Sequence, residues 1–207
     1  MLERMEHRGA CGCEINTGDG AGILCKLPHE FLSRAYGEAT GQKLPALGEY
    51  AVGMLFMPRD TELREACRKV FEGSIGACGL TLLGWRIVPT DNSDLGKTAL
   101  ESEPRTEQCF LGLAEGSQSN GGNVLGDQTP LFEKKCYILR KRSHAAIHAV
   151  LARVSSPGDS SCWHWCSLSS RTIVYKGMLR SIQIKNYFAD LQVGTIYYDH
   201  VAIFCFL

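Results

Sequence analysis

The chain has 207 residues, with 22 Lys and Arg against 22 Asp and Glu, so its formal net charge is zero. That balance excludes a nucleic-acid binder working by bulk charge, and 44% hydrophobic against 21% charged residues excludes global disorder. The longest apolar run, Val201 to Leu207, falls far short of the ~18 residues a membrane-spanning helix needs. The first residues, Met1 to Arg8, are charged from the third position and lack the apolar stretch of a secretory signal. The length suits one domain with a sizeable core.

Along the chain, the first strong feature is Met5 to Leu24, which carries five glycines. Glycine at that density lets the backbone approach another backbone, or a ligand, closely, so a packed turn and a ligand-shaping loop both fit. The Gly18, Gly20, Gly22 spacing is not a dinucleotide fingerprint, because no strand precedes it and the third glycine is misplaced. Gly48 to Asp60 then reads as a strand. Asp60 caps a helix whose apolar face is Leu63, Ala66, Cys67, Val70 and Phe71. A second strand, Leu80 to Val88, is stopped by Pro89 and the turn-rich Thr90 to Asp94. Residues 112–131 are polar and glycine-rich and read as a surface loop or insertion.

Cys136 to Arg142 is predicted as a further strand, with a short helix behind it over Ala145 to Leu151 and a break at Ser155 to Ser161. Trp163 to Leu168 and Thr172 to Lys176 are predicted as a pair of strands joined by a tight Ser169-Ser170-Arg171 turn, with Gly177 ending the pair. Strands at such short spacing favour antiparallel pairing over Rossmann-type alternation, which gives an α+β class.

The ten cysteines show no compact framework, and without a signal peptide they are expected to be reduced core thiols. Cys162-Trp163-His164-Trp165-Cys166, with Cys11 and Cys13, is the one candidate metal set. Its C-x-C and C-x₃-C spacings differ from the usual zinc pairs, so no metal ligand is assigned.

Glu6-His7-Arg8-Gly9-Ala10-Cys11-Gly12 followed by Thr17-Gly18-Asp19-Gly20-Ala21-Gly22-Ile23 resembles the first active-site loop of the class II glutamine amidotransferase domain of glutamate synthase large chains. Gly48 to Met54, Leu83 to Arg86 with Val88 to Gly96, Tyr137 to Arg142, and Ser167 to Leu179 are similar to the same family in the same order. The wording after His7-Arg8 resembles the pyridine-nucleotide branch more than the ferredoxin branch. The resemblance covers residues 1–192 as a partial domain, incomplete at both ends, with 112–131 as an insertion and 193–207 as a non-family tail.

The resemblance implies an incomplete four-layer αββα N-terminal-nucleophile hydrolase fold with antiparallel sheets. It implies a glutaminase that releases ammonia from L-glutamine for reductive glutamate synthesis from 2-oxoglutarate. In that family a terminal cysteine is nucleophile, its α-amine is base, and an Asn-Gly pair supplies the oxyanion donors. Neither that cysteine nor the Asn-Gly pair has a counterpart here, since Cys11 and Cys13 are internal and lack a free amine. No catalytic residue is therefore assigned, and the fragment is expected to be inactive alone.

Carried over is an active-site support of Arg8, Gly9, Asp19 and Gly20, with Arg8 placed to favour a thiolate and Asp19 to accept backbone hydrogen bonds in the loop. Arg171 and Lys176 read as solvated strand edges. No cofactor is expected on this chain, the parent's FMN, iron–sulfur cluster and NAD(P)H belonging to other domains. The implied partners are L-glutamine and the remaining synthase domains, with no nucleic acid and no membrane, in an intracellular setting that is either cytosol or plastid. The competing class is a non-catalytic binding or interaction module derived from the same domain.

Overall fold

A computed structural model describes residue 14 and residues 16–115, 129–154, 163–193 and 201–205. Arg8, Gly9, Cys11, Cys13 and Cys162, together with most of the expected insertion and the expected break after the 145–151 helix, lie outside the described residues. Seven strands and five helices are described: β1 (Ala21–Lys26), α1 (His29–Thr40), β2 (Tyr50–Met57), α2 (Thr61–Ile75), β3 (Leu80–Ile87), α3 (Lys97–Ser102), β4 (Arg105–Leu113), α4 (Thr129–Val154), β5 (His164–Ser169), β6 (Thr172–Gly177), α5 (Ile184–Tyr187) and β7 (Val201–Cys205). A 3₁₀ turn follows α5 over Ala189–Gln192.

Two antiparallel sheets result, one in the order β6-β1-β7 and one in the order β3-β4-β2-β5. β2 runs through the middle and is buried at all but one of its eight positions. Its side chains alternate between two cores, as a strand's period of two requires. Tyr50, Val52 and Met54 join Ile23, Cys25, Phe110, Ile173 and Tyr175 between the two sheets, along with Leu32 and Tyr36 of α1. Ala51, Leu55 and Met57 join Cys67 and Phe71 of α2 and Phe132, Cys136 and Leu139 of α4 on the opposite face. The described layers are thus sheet, sheet and helices, an α+β architecture with antiparallel pairing as the short spacing of the strands implied.

The helix after Asp60 forms as its periodicity predicted. Asp60 accepts a hydrogen bond from the Leu63 amide at 2.8 Å, a cap worth about 1 kcal/mol. The same helix turns Arg64 and Arg68 inward to Glu107 of β4, a carboxylate that Arg105 also contacts, and so is pinned to the sheet by charge as well as by packing.

Two expectations are corrected. Cys136 to Arg142 is not a strand but the middle of α4, a helix of 26 residues that also absorbs the short helix expected at 145–151. Its buried positions are Phe132, Cys136, Leu139, Ser143, Ile147 and Leu151, spaced by fours and one three. That is a helical stripe, and packing of the stripe on the sheet overrides the strand propensity of Tyr137 and Ile138. The second correction concerns β5 and β6, which are present as predicted but do not pair with each other. β5 lies against β2 and β6 against β1, so Ser169 to Arg171 form a corner between sheets rather than a hairpin. Glu133 of α4 holds that corner, its Oε1 accepting from Ser169 Oγ at 3.0 Å and from the Ser170 amide and hydroxyl at 2.6 and 2.7 Å.

β1, α1, α3 and β4 have no counterpart among the predicted elements. β7, within the tail expected to lie outside the domain, pairs antiparallel with β1, Val201 opposite Cys25 and Cys205 opposite Ala21.

Candidate functional site

The glycine-rich segment enters β1 along a path only small residues allow. A Cβ on Gly18 would run into the Leu179 carbonyl and the Arg180 nitrogen, so the chain here passes directly against the turn that follows β6. Gly20 has φ +142°, a region L side chains rarely adopt. The carboxylate that organises this loop is Glu14. It accepts from Thr17 Oγ1 at 2.7 Å and from the Thr98 amide at 3.1 Å, and those bonds hold its pKa below the usual carboxylate value. Asp19 stands exposed beyond it.

Asp19 and Gly20 form one rim of a cavity of about 350 Å³ between the end of β6 and the α3 segment. Phe56, Leu95, Ala99, Met178 and Leu179 give it apolar walls, and Ser102, Glu103, Lys176 and Tyr187 supply its polar groups. Glu103 is fully engaged: Arg59 Nη2 and Asn92 Nδ2 each donate to its Oε2 at 2.9 Å, and the Tyr187 hydroxyl donates to Oε1 at 2.8 Å. Burial, then the Glu103 carboxylate, pushes the Tyr187 phenol well above its ordinary pKa, so it stays a donor.

Lys176, which reads in the sequence as a solvated edge, lines the cavity. Its ammonium lies 2.8 Å from His164 Nε2. Burial and then the Lys176 charge push the His164 pKa down to about 4, so the imidazole is neutral at pH 7 and accepts from the lysine. Period two puts Lys176 on the face of β6 opposite buried Tyr175, with Val174, which reads as a solvent face and gives no sign of the cavity.

Cys25, Cys67, Cys78, Cys109 and Cys136 serve the cores. Cys25, Cys67, Cys109 and Cys136 are buried, and desolvation raises the thiol pKa of each, to about 11 for Cys25 and Cys67. Thiols so placed behave as small apolar groups. Among the described residues no group of three or more His, Cys, Asp or Glu could hold a metal ion. The cavity therefore has the chemistry of a binding cradle, an apolar trough with an exposed carboxylate at one rim and a lysine on its wall.

The model of the class-II glutamine amidotransferases matches residues 1–204 of this sequence. The chain belongs to that family. This amidotransferase domain is 37% identical over 203 residues to the glutamate synthase [NADH] of Schizosaccharomyces pombe, a match covering 98% of the chain and 9% of the relative. It is 36% identical over 200 residues to the chloroplastic ferredoxin-dependent glutamate synthase 2 of Arabidopsis thaliana, covering 97% of the chain and 11% of the relative. With the glutamate synthase [NADPH] large chain of Bacillus subtilis the identity is 33% over 192 residues, covering 93% and 11%. The chain thus spans about a tenth of the length of the curated relatives it matches. The family match runs twelve residues beyond Gln192 and takes in most of β7, so neither it nor the strand pairing stops at the boundary the sequence suggested.

Proposed function

We propose that this domain is the ammonia-releasing part of a glutamate synthase. The reading is that L-glutamine is hydrolysed to glutamate and ammonia, and that the remaining synthase domains use the ammonia with 2-oxoglutarate in reductive glutamate synthesis. The observation that carries it is a family match over nearly the whole chain, joined to full-chain similarity with pyridine-nucleotide-dependent and ferredoxin-dependent synthases alike. Those two kinds of relative leave the electron donor open.

In this reading Arg8 packs beside the nucleophile of the complete domain, Gly9 belongs to the same active-site support, and Asp19 and Gly20 shape the loop at the cavity rim. The geometry supporting it is the positive φ of Gly20 and the tight passage of Gly18 against Leu179, which together bring the loop to the cavity. Cys25, Cys67, Cys109 and Cys136 do not fit an iron–sulfur cluster, being buried in the two cores with their thiol pKa raised by desolvation, and no step is derived through a cluster or flavin on this chain. FMN, iron–sulfur cluster and NAD(P)H belong in this proposal to other domains of the synthase, and the setting is intracellular. Among the described residues no helix is long and apolar enough to cross a membrane.

The 207 residues by themselves are proposed to be inactive, since their cysteines are all internal and a terminal thiol with its own amine is what the family's chemistry uses. The test is a glutamine-analogue electrophile with an ammonia assay. The chain as given should release no ammonia and stay unlabelled. Stoichiometric labelling of Cys11 or Cys13 together with ammonia release would falsify the inactivity.

A further inference from the structure

Arg86 leaves β3 and Tyr175 leaves β6, one from each sheet, and both end on Asp190. Arg86 Nη1 and Nη2 donate to the two carboxylate oxygens at 2.8 and 2.6 Å, and the Tyr175 hydroxyl donates to Oδ2 at 3.0 Å. Gln108 Oε1 of β4 takes a further Arg86 bond at 2.9 Å. Asp190, Tyr175 and Gln108 are all buried. A buried ion pair is costly to desolvate, and apolar residues of the same volume would hold two sheets together as well or better. What apolar packing cannot supply is direction, and the direction here is toward the glycine-rich loop.

The segment that Asp190 anchors is tied to the cavity at successive points. Phe188 bridges Thr90, the Asp91 amide donates to the Tyr187 carbonyl at 2.8 Å, and Tyr187 reaches Glu103. At the head of α5 sits Gln183, only 3% exposed. Its Oε1 accepts from the Arg180 amide at 2.8 Å, and its Nε2 donates to the carbonyls of Asp94 at 2.5 Å and of Asn16 at 3.2 Å. One buried amide thus joins the turn after β6, the loop before α3, and the residue that opens Thr17-Gly18-Asp19-Gly20.

We propose that Gln183, anchored through the Arg86–Asp190–Tyr175 network, is a positioning residue that sets the Asn16 to Gly20 loop at the mouth of the cavity. The proposal rests on the reading of that loop as part of the glutamine site, but its test does not involve glutamine. Gln183 acts on the loop through the backbone. Its two donated bonds end on carbonyls, so the hold is independent of which side chains the loop carries, and it is lost if the amide nitrogen is replaced.

Residue-resolved amide hydrogen exchange on the whole 207-residue chain tests this, comparing the parent with Gln183→Leu, Gln183→Glu and Tyr175→Phe. Gln183→Leu should speed exchange at Thr17, Gly18 and Gly96 by ~10-fold or more while Val52, Phe110 and Ile173 stay within ~3-fold, a local opening without global loss. Gln183→Glu keeps the acceptor for Arg180 and removes the donor, so it should open the loop as Leu does. Tyr175→Phe leaves the ion pair and should open it less. Loop exchange unchanged in both Gln183 variants, parent-like exchange in Gln183→Glu, or loop and core rates rising together would each overturn the proposal, the last by showing a merely structural role. A parent loop already exchanging at the rate of an unfolded peptide would overturn it as well.

Discussion

At the residue scale, Gly53 shows how tightly β2 is held between its neighbours. A Cβ there would meet Cys109 Sγ and Trp165 Cζ3, each at 2.6 Å, and neither atom has room to retreat because both residues are buried. Gly53→Ala should therefore cost about 1–3 kcal/mol by overpacking, the reverse of the usual gain from glycine to alanine in a strand. Urea unfolding checks this, and a variant as stable as the parent would show that the core yields here. The residues of the loop were legible for a related reason. Glycines at 18 and 20 announce close approach and unusual φ whatever the sequence around them. Lys176 was not legible, because a lysine beside a strand-ending glycine reads as solvent-facing until the His164 acceptor on the preceding strand, in the other sheet, is known.

At the element scale, legibility followed the hydrophobic period and failed where β-prone residues masked it. α2 shows its apolar face at offsets of three and four with a capping aspartate, and it formed as predicted. The run Cys136-Tyr137-Ile138-Leu139 has strand composition over four residues, too short a window for a period of 3.6 to be seen. Over the longer stretch from Phe132 to Leu151 the helical stripe is unambiguous. The two readings differ in which side chains share a face. In a strand Tyr137 and Leu139 would be buried or exposed together, whereas in α4 Leu139 is fully buried and Tyr137 is 59% exposed. Leu139→Ala should cost about 2–5 kcal/mol and Tyr137→Ser no more than about 0.5 kcal/mol. Equal losses at both positions, measured by chemical denaturation, would contradict the helix. The β5–β6 corner was hidden for a different reason: a short polar connection fixes that two strands are close, but which sheet each joins depends on Glu133, 36 residues away from Ser169.

At the scale of the whole molecule, formal neutrality at pH 7 conceals a stability profile with two sloping sides. On the acid side His164 is neutral in the folded chain, its pKa depressed from 6.5 to about 4, so unfolding takes up a proton once the pH falls below 6.5. The contribution is complete above 6.5 and is lost progressively as the pH drops toward 4. Glu14 and Asp91, lowered by hydrogen bonds from Thr17 and Ser93, add losses of the same sign below the ordinary carboxylate range. On the alkaline side the Cys25 and Cys67 thiols are raised by burial from 9.0 to about 11. Their contribution is present below pH 9, and it is lost as the pH rises toward 11, because the unfolded thiols ionise first. The result should be a plateau of maximal stability between about pH 6.5 and 9, with the upper half of the acid slope owed chiefly to His164 and, with the same sign, to His144, whose pKa is also lowered. Urea midpoints measured from pH 4.5 to 10 test it, with His164→Asn as the control. The variant should be flatter between pH 6.5 and 4.5 and unchanged in the alkaline limb. A parent midpoint that does not fall below pH 6.5, or a variant with the same acid slope, would show that desolvation and the Lys176 charge do not hold the His164 imidazole neutral.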